Sequence, residues 1–491
     1  MAGTVPPGFT KQTHLSAYDA VTLRAMIGRK EISPVELLES HLERIDEANP
    51  VLNATVAMDM ESARAAAQSA ERSVLAGEQI GPLHGLVVGI KDLTATKDLA
   101  TTYGSLAYKE NVPTVDAGVV QRLRAAGAII LCKTNTPEFG AGAQTVNRVY
   151  GPTRNPFDTA RTCAGSSGGS AVALATDMVT LATGSDMGGS LRTPAAFCGV
   201  TGFRPTPGAI ANEARRNGWA TLSVDGPMGR NVADTALLYA SMTGADPRDP
   251  LSTGLDRTHF APVAPVDVSS LRVAFSEDLG FAPVSQAIRS QFRARAEALA
   301  PLFAEVRWSE PDLTDADFAF EALRGMGFVD SYGPLVAEFG EMIGSNVRGN
   351  VALGKTLSAA DVGRGYNLQT EIVRRAAAFF QDVDLLICPA ASVEPFPVEQ
   401  LFVEEIDGSR LESYIHWIAI TYGITLTTHP ALVLPFGRSP SGLPFGIQIV
   451  GPRGLDGFTL GAAAAIEAAF ATNPSFCRPL PPSAIGRHAP D

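Results

Sequence analysis

The chain predicts an α/β fold, a β-sheet with helices packed on it, and three consecutive segments carry that expectation. Leu86-Val87-Val88-Gly89-Ile90 is a short apolar run that reads as a buried strand ending at Lys91-Asp92. A helix over residues 118–126 is expected to stop at Gly127, since glycine tolerates the left-handed backbone that closes a helix. It feeds Ala128-Ile129-Ile130-Leu131, a second buried strand. Strand, helix, strand in that order is how a sheet acquires a helical cover.

Upstream, Ser33-Pro34-Val35-Glu36 reads as a capping box with proline at the first helical position. Val35, Leu38, Leu42 and Ile45 then mark one apolar face, and Asn49-Pro50 is expected to end that helix. Downstream, Pro262 and Pro265 suggest a connection near residues 260–268. Val273-Ala274-Phe275, a long helix over about residues 284–304, and Leu385-Leu386-Ile387 continue the α/β pattern. The later half reads as further layers on one fold, so a single domain over residues 1–491 is expected.

Composition excludes several classes. With 45% hydrophobic and 18% charged residues the chain is globular in type. A formal net charge of −12 argues against a nucleic-acid surface, which needs clustered Lys and Arg. Five cysteines without a C-x-x-C pair fit a reducing compartment. The first residues, MAGTVPPGFTKQTHLSAY, lack the basic and apolar regions of a signal peptide, and no run of 18 apolar residues occurs. A cytoplasmic protein that does not span a membrane is expected.

Residues 163–194, CAGSSGGSAVALATDMVTLATGSDMGGSLRTP, carry the chemistry. Two Gly/Ser turns, at 165–170 and 184–190, are separated by enough residues for one helix or a strand. Glycines let backbone N–H groups crowd a reacting atom, and serine hydroxyls attack or relay protons. A flexible linker of the same composition would not enclose Ala171-Val172-Ala173-Leu174. Lys91 ends an apolar strand, so it either snorkels out or sits partly buried. Burial disfavours the charged ammonium and turns a lysine into a base.

These turns, with Pro194-Ala195-Ala196-Phe197-Cys198-Gly199, resemble the amidase signature family. Gly89-Ile90-Lys91-Asp92, Thr134-Asn135-Thr136-Pro137-Glu138-Phe139, Gly202-Phe203-Arg204-Pro205-Thr206 and Gly442-Leu443-Pro444-Phe445-Gly446-Ile447-Gln448 extend the likeness. It spans about residues 15–470, with the signature region at 85–206. The resemblance implies a large mixed central sheet flanked by helices on both faces. It also implies a Ser-Ser-Lys triad: Ser190 as nucleophile, Lys91 as base, and Ser166 bridging them after a cis peptide bond. The N–H groups of Met187, Gly188, Gly189 and Ser190 would face the oxyanion. Ser167, Asp186 and Arg192 are expected as supporting residues, Ser167 in the turn or in the chemistry, and Asp186 with Arg192 as an ion pair. Neither metal nor cofactor is implied.

The implied activity is hydrolysis of a carboxamide or related C–N bond in a small molecule, through an acyl-enzyme. Aryl acylamides, carbamates (urethanes) and esters fall within reach, and the chain broadly resembles stand-alone bacterial aryl-acylamidase and urethane-cleaving members. The alternative inside the family is a glutamine-hydrolysing amidotransferase A-type subunit, which needs partner subunits; a homodimer is also left open. Cys163 and Ala164 stand where Pro and Gly are usual, Ser185 where Thr is common, and Thr427-Thr428-His429 replaces an Asn-containing segment. The last departure bears on the pocket wall and so on substrate choice. Phe396, Tyr414, Trp417, Ile418 and Tyr422 read either as pocket or as core, and residues 141–150 and 209–218 as loops near the pocket.

Two other motifs are weighed. Residues 349–356, GNVALGKT, match the Walker A pattern and would make the chain a P-loop nucleotide-binding protein, but no buried strand precedes them. Residues 165–169 match G-x-S-x-G, yet residues 151–164 read as loop rather than the strand a nucleophile elbow requires. His416 and His429 have no metal-site spacing.

Overall fold

The computed structural model describes residues 14–252 and 263–482. The signal-peptide reading of the first residues falls mostly outside them, as does part of the connection expected near 260–268.

One sheet organises the molecule. Its eleven strands are β1 (Thr55–Met58), β2 (Val87–Lys91), β3 (Ile129–Thr134), β4 (Leu181–Asp186), β5 (Thr201–Arg204), β6 (Val224–Gly229), β7 (Arg272–Phe275), β8 (Glu305–Trp308), β9 (Leu385–Pro389), β10 (Ala431–Arg438) and β11 (Pro444–Val450). Their spatial order is β1-β3-β2-β4-β6-β5-β10-β11-β9-β7-β8. The sheet is mixed. Strand β2 runs parallel to β3 and β4, and β7 runs parallel to β8 and β9. The centre, from β4 through β11, is antiparallel. Thirteen α-helices flank the sheet among the described residues. Strands β2, β3, β9 and β11 are buried along their length and read as near-continuous apolar runs because helices cover the sheet.

The predicted elements appear with small, explicable shifts. The capping box forms: Glu36 N–H donates to Ser33 Oγ at 3.1 Å, and Ser33 N–H to Glu36 Oε2 at 2.8 Å. That helix does not end at Asn49-Pro50; it runs from Pro34 to Leu52. Proline fixes a helical φ and forfeits one hydrogen bond, which costs little in a last turn. Asn53 then takes the left-handed conformation and donates its N–H to Asn49 O at 2.8 Å, closing the helix. The next predicted helix spans Gly118–Ala125, with Gly127 at φ +91°. The long helix expected over 284–304 is Gln286–Leu299, followed by one 3₁₀ turn.

Between the two Gly/Ser turns the chain makes both a helix and a strand, Gly168–Ala175 and then β4. Residues 349–356 fall at the end of a helix, Ser345–Gly354, and the next begins at a capping box on Ser358. No strand leads into them, so the phosphate-cradling geometry of a P-loop is not built.

Candidate active site

Strand β2, third from the β1 edge of the sheet, ends in Lys91, whose side chain is only 1% exposed. Among the described residues its Nζ meets three hydroxyls and no other hydrogen-bond partner: Ser166 Oγ at 2.8 Å, Ser167 Oγ at 2.9 Å and Ser185 Oγ at 2.9 Å. An ammonium has three N–H donors and fills all three contacts; the neutral amine instead accepts from one of them. Burial pushes this lysine down to about 7, while the carboxylates of Asp225 and Asp186 pull the other way.

A second buried lysine shows why this matters. Lys133 Nζ donates to Thr94 O and Thr96 Oγ1. A carbonyl oxygen cannot become a donor, so Lys133 is held as a donor. The partners of Lys91 can all reverse roles.

The two turns are pinned to each other. Ser167 N–H donates to Ser190 O at 3.2 Å, and the Gly165–Ser166 peptide is cis. Ser167 stands at the N-cap of the Gly168–Ala175 helix without making a capping bond, because its hydroxyl faces Lys91. The first helical N–H groups find other acceptors: Gly168 donates to Thr145 Oγ1 and Gly169 to Asn135 O, both at 3.1 Å. Ser190 lines the cavity, and its hydroxyl has no hydrogen-bond partner among the described residues.

The loop 187–190 is shaped by Asp186. Its carboxylate accepts from Leu191 N–H at 3.0 Å, from Arg192 Nε and Nη2 at 3.0 and 2.8 Å, and from Arg204 Nη1 at 3.2 Å. Burial alone would raise this carboxyl; Arg192 and Arg204 outweigh it and hold it well below the usual carboxylate range. Arg192 is anchored further by Gln448 Oε1 at 2.6 Å and Thr421 O at 2.8 Å. All three ionic side chains are fully buried.

Asp186→Asn should therefore cost about 3–5 kcal/mol, since it leaves two buried guanidinium groups short of charge. Chemical denaturation of the variant checks this. A loss under about 1 kcal/mol would mean the arginines find compensation elsewhere.

The expected set of oxyanion donors needs one correction. The Gly189 N–H does not face the cavity as a free donor: it donates to Asp186 Oδ1 at 3.0 Å. Met187, Gly188 and Ser190 also line the cavity, and their N–H groups have no acceptor among the described residues. Gly189 has φ +122°, and a Cβ there would collide with Thr421 Oγ1. Glycine is required at 189 for conformation and for space.

The cavity above this loop has a volume of about 530 Å³. Its apolar lining comprises Phe139, Met187, Phe320, Leu323, Phe328, Tyr332, Ile415 and Ile418, with Phe320 and Ile418 set against Gly188. Asn212, Glu213, Arg215, Arg216 and Asp225 add polar and charged groups to the same lining. The 209–218 loop thus contributes as expected, but residues 141–150 supply only Gly142 and Ala143. Of the five pocket-or-core candidates only Ile418 reaches the cavity. Trp417, Phe396 and Tyr422 are buried among apolar neighbours, and Tyr414 faces Arg324.

Three residues near the site are missing from the expected set: Ser185, noted only as standing where threonine is common, Asp225 and Arg324. The first two are cross-strand partners, Ser185 on β4 facing Asp225 on β6, and that register is invisible in a linear sequence. Among the described residues no group of three His, Cys, Asp or Glu side chains could hold a metal ion, and no helix is long and apolar enough to cross a membrane.

A mixed sheet buries a lysine under a cage of serines, beside a glycine-rich loop in a cavity, an arrangement that can pass a proton among hydroxyls. Comparison with known proteins makes that specific. Residues 36–460 match the Amidase family model. The chain is 34% identical over 471 residues to an acylamidase of Rhodococcus erythropolis, covering 93% of this chain and 96% of that one. It is 35% identical over 489 residues to the A-type subunit of glutamyl-tRNA(Gln) amidotransferase from Acidothermus cellulolyticus, covering 92% and 94%. The crystal structure of a bacterial aryl acylamidase superposes with a TM-score of 0.86 at 28% identity, over 93% and 96% of the two chains. The chain belongs to the amidase signature family, and it is an amidase acting on C–N bonds.

Proposed function

We propose that the chain hydrolyses aryl and related acylamides, with Ser190 as nucleophile, Lys91 as base and Ser166 as the relay between them. The observation that carries this reading is the Lys91 amine, buried under three reversible hydroxyls next to a serine whose own hydroxyl is uncommitted.

Neutral Lys91 takes the Ser166 proton as Ser166 takes that of Ser190, and Ser190 Oγ bonds to the substrate carbonyl carbon. Negative charge gathers on the carbonyl oxygen, within the loop that presents the N–H groups of Met187, Gly188 and Ser190. The proton returns through Ser166 to the amide nitrogen, the C–N bond breaks, and the amine leaves an acyl-Ser190 ester. Water repeats the sequence and releases the acid. The Ser190 hydroxyl turns to Ser166 when substrate is bound, since such bonds commonly tighten only in the complex. Ser185 and Ser167 supply the lysine's other two partners, and the Asp225 carboxylate acts on it through space, favouring its charged form.

The apolar wall near Gly188 supports an aryl or alkyl acyl amide, with carbamates and esters presenting the same carbonyl. A similarity to amidotransferase subunits supports glutamine as the competing substrate. One panel separates these: p-nitroanilides, simple amides, carbamates, esters and glutamine. Anilide hydrolysis well above glutaminase activity is expected; the reverse order would overturn the substrate reading. The unpaired cysteines accord with a reducing, cytoplasmic setting.

The pH dependence has a definite sign. Only the neutral lysine takes a proton, and burial brings its value from an ordinary ~10.4 to about 7. We expect kcat/KM to rise with pH through about 7 and stay high above it. Between about 7 and 10 the unfolded chain binds the proton that the folded chain releases, so this group's contribution to stability also rises with pH. A rate that falls from pH 6 to pH 8 would contradict Lys91 as base.

A further inference from the structure

We propose that Arg324 recognises an anionic group, and that the amides this site favours carry a carboxylate on the part lying along the Ala316–Phe339 helix. The inference rests on the amidase reading above and narrows its substrate class.

Three arginines line the cavity, and two of them face carboxylates. Arg216 Nε lies 3.2 Å from Asp330, and Arg215 Nη1 lies 3.8 Å from Asp249. Arg324 has no carboxylate within ion-pair distance among the described residues, yet it is only 8% exposed. Its partners are neutral: Nη1 donates to Asn350 Oδ1, Nη2 to Tyr414 OH, and the guanidinium lies 4.4 Å from the Phe328 ring centroid. A buried cation with neutral partners only is costly to maintain. Ring contact offsets part of that cost; a ligand anion would offset much more.

The group is also held in advance. Asn350 donates to Asn346 O and to Tyr414 OH, each at 2.7 Å, so both acceptors of Arg324 are themselves fixed. Each terminal nitrogen has a second N–H beyond the one these contacts use, and a planar guanidinium presents such pairs to the two oxygens of a carboxylate. Binding then orders little that was not already ordered.

Position fits the same conclusion. The Phe320 ring abuts Gly188, its Cζ 3.1 Å from where a Cβ on that glycine would stand. Arg324 lies one helical turn further along the same cavity wall, about 6 Å of axial rise. A carbonyl held at the 187–190 loop is therefore a short chain away from the guanidinium. The Walker-like segment acquires a different task here: its Asn350 orients an arginine and meets no nucleotide.

The test uses the mono-p-nitroanilides of malonic, succinic, glutaric and adipic acids beside the matching uncharged alkanoyl p-nitroanilides. In the wild type the best carboxylated member should exceed its uncharged counterpart in kcat/KM by roughly ten- to a hundredfold, the range for a charge-assisted pair. Arg324→Met should collapse that ratio to near one, and Arg324→Lys should retain part of it. Free dicarboxylates should compete with the uncharged substrates on the wild type, less so at high salt, a readout that needs no variant. Hydrolysis with no carboxylate preference, a ratio that survives in Arg324→Met, or no inhibition by dicarboxylates would overturn the role of Arg324 alone. If the wild type cleaves no amide in either series, the amidase reading fails and this proposal with it.

Discussion

Ser190→Ala is expected to lower amide hydrolysis by about 10⁴- to 10⁶-fold, the range seen when a serine nucleophile is removed from a preorganised site. The fold should survive. Ser190 Oγ holds no hydrogen bond among the described residues, and its structural contribution is its backbone carbonyl, which accepts from Ser167 N–H at 3.2 Å whatever the side chain is. Thermal unfolding should therefore stay within a few degrees of the wild type while activity vanishes. Residual hydrolysis within tenfold of the wild type would remove Ser190 from the mechanism.

Lys91→Met is the second large effect, and its two consequences run in opposite directions. Activity should fall by about 10²- to 10⁴-fold, because the relay loses the group that takes the proton. Stability should not fall with it. A fully buried amine carries a desolvation cost, which is why its value drops to about 7, and methionine is an unbranched side chain free of that cost. A variant that is inactive but unfolds at or above the wild-type temperature is the expected result, stability gained where function is lost. A strongly destabilised variant would mean that Lys91 is chiefly a structural anchor for the three serines.

The reach of sequence reading follows from where the chemistry sits. Local composition marked the Gly/Ser turns and the strand-end lysine, and the family resemblance singled out Lys91, Ser166 and Ser190 among them; the fold brings Lys91 to Ser166 and sets Ser190 in the cavity lining. Asp186 and Arg192 were expected to pair because an unpaired charge beside the loop is costly, and they do. The full network was not legible, because Arg204 and Gln448 reach it from β5 and β11. Ser185 and Asp225 depend on the antiparallel register of β4 with β6. Arg324 depends on how a helix more than a hundred residues away packs over the 187–190 loop. Gly189 shows a subtler limit: its place beside Ser190 suggested an oxyanion donor, but only the fold reveals that Asp186 takes its N–H. Fold class was readable from one strand–helix–strand unit. Strand order was not, since β10 and β11 return from the end of the chain to sit beside β5 and β9.

The relay from Lys91 through Ser166 to Ser190 is tested most directly by mapping the adduct of a fluorophosphonate by mass spectrometry across pH. The account predicts a single adduct on Ser190, formed at a rate that climbs through pH about 7 as Lys91 loses its proton. An adduct on another residue, or a rate at Ser190 that does not change between pH 6 and pH 8, would contradict it.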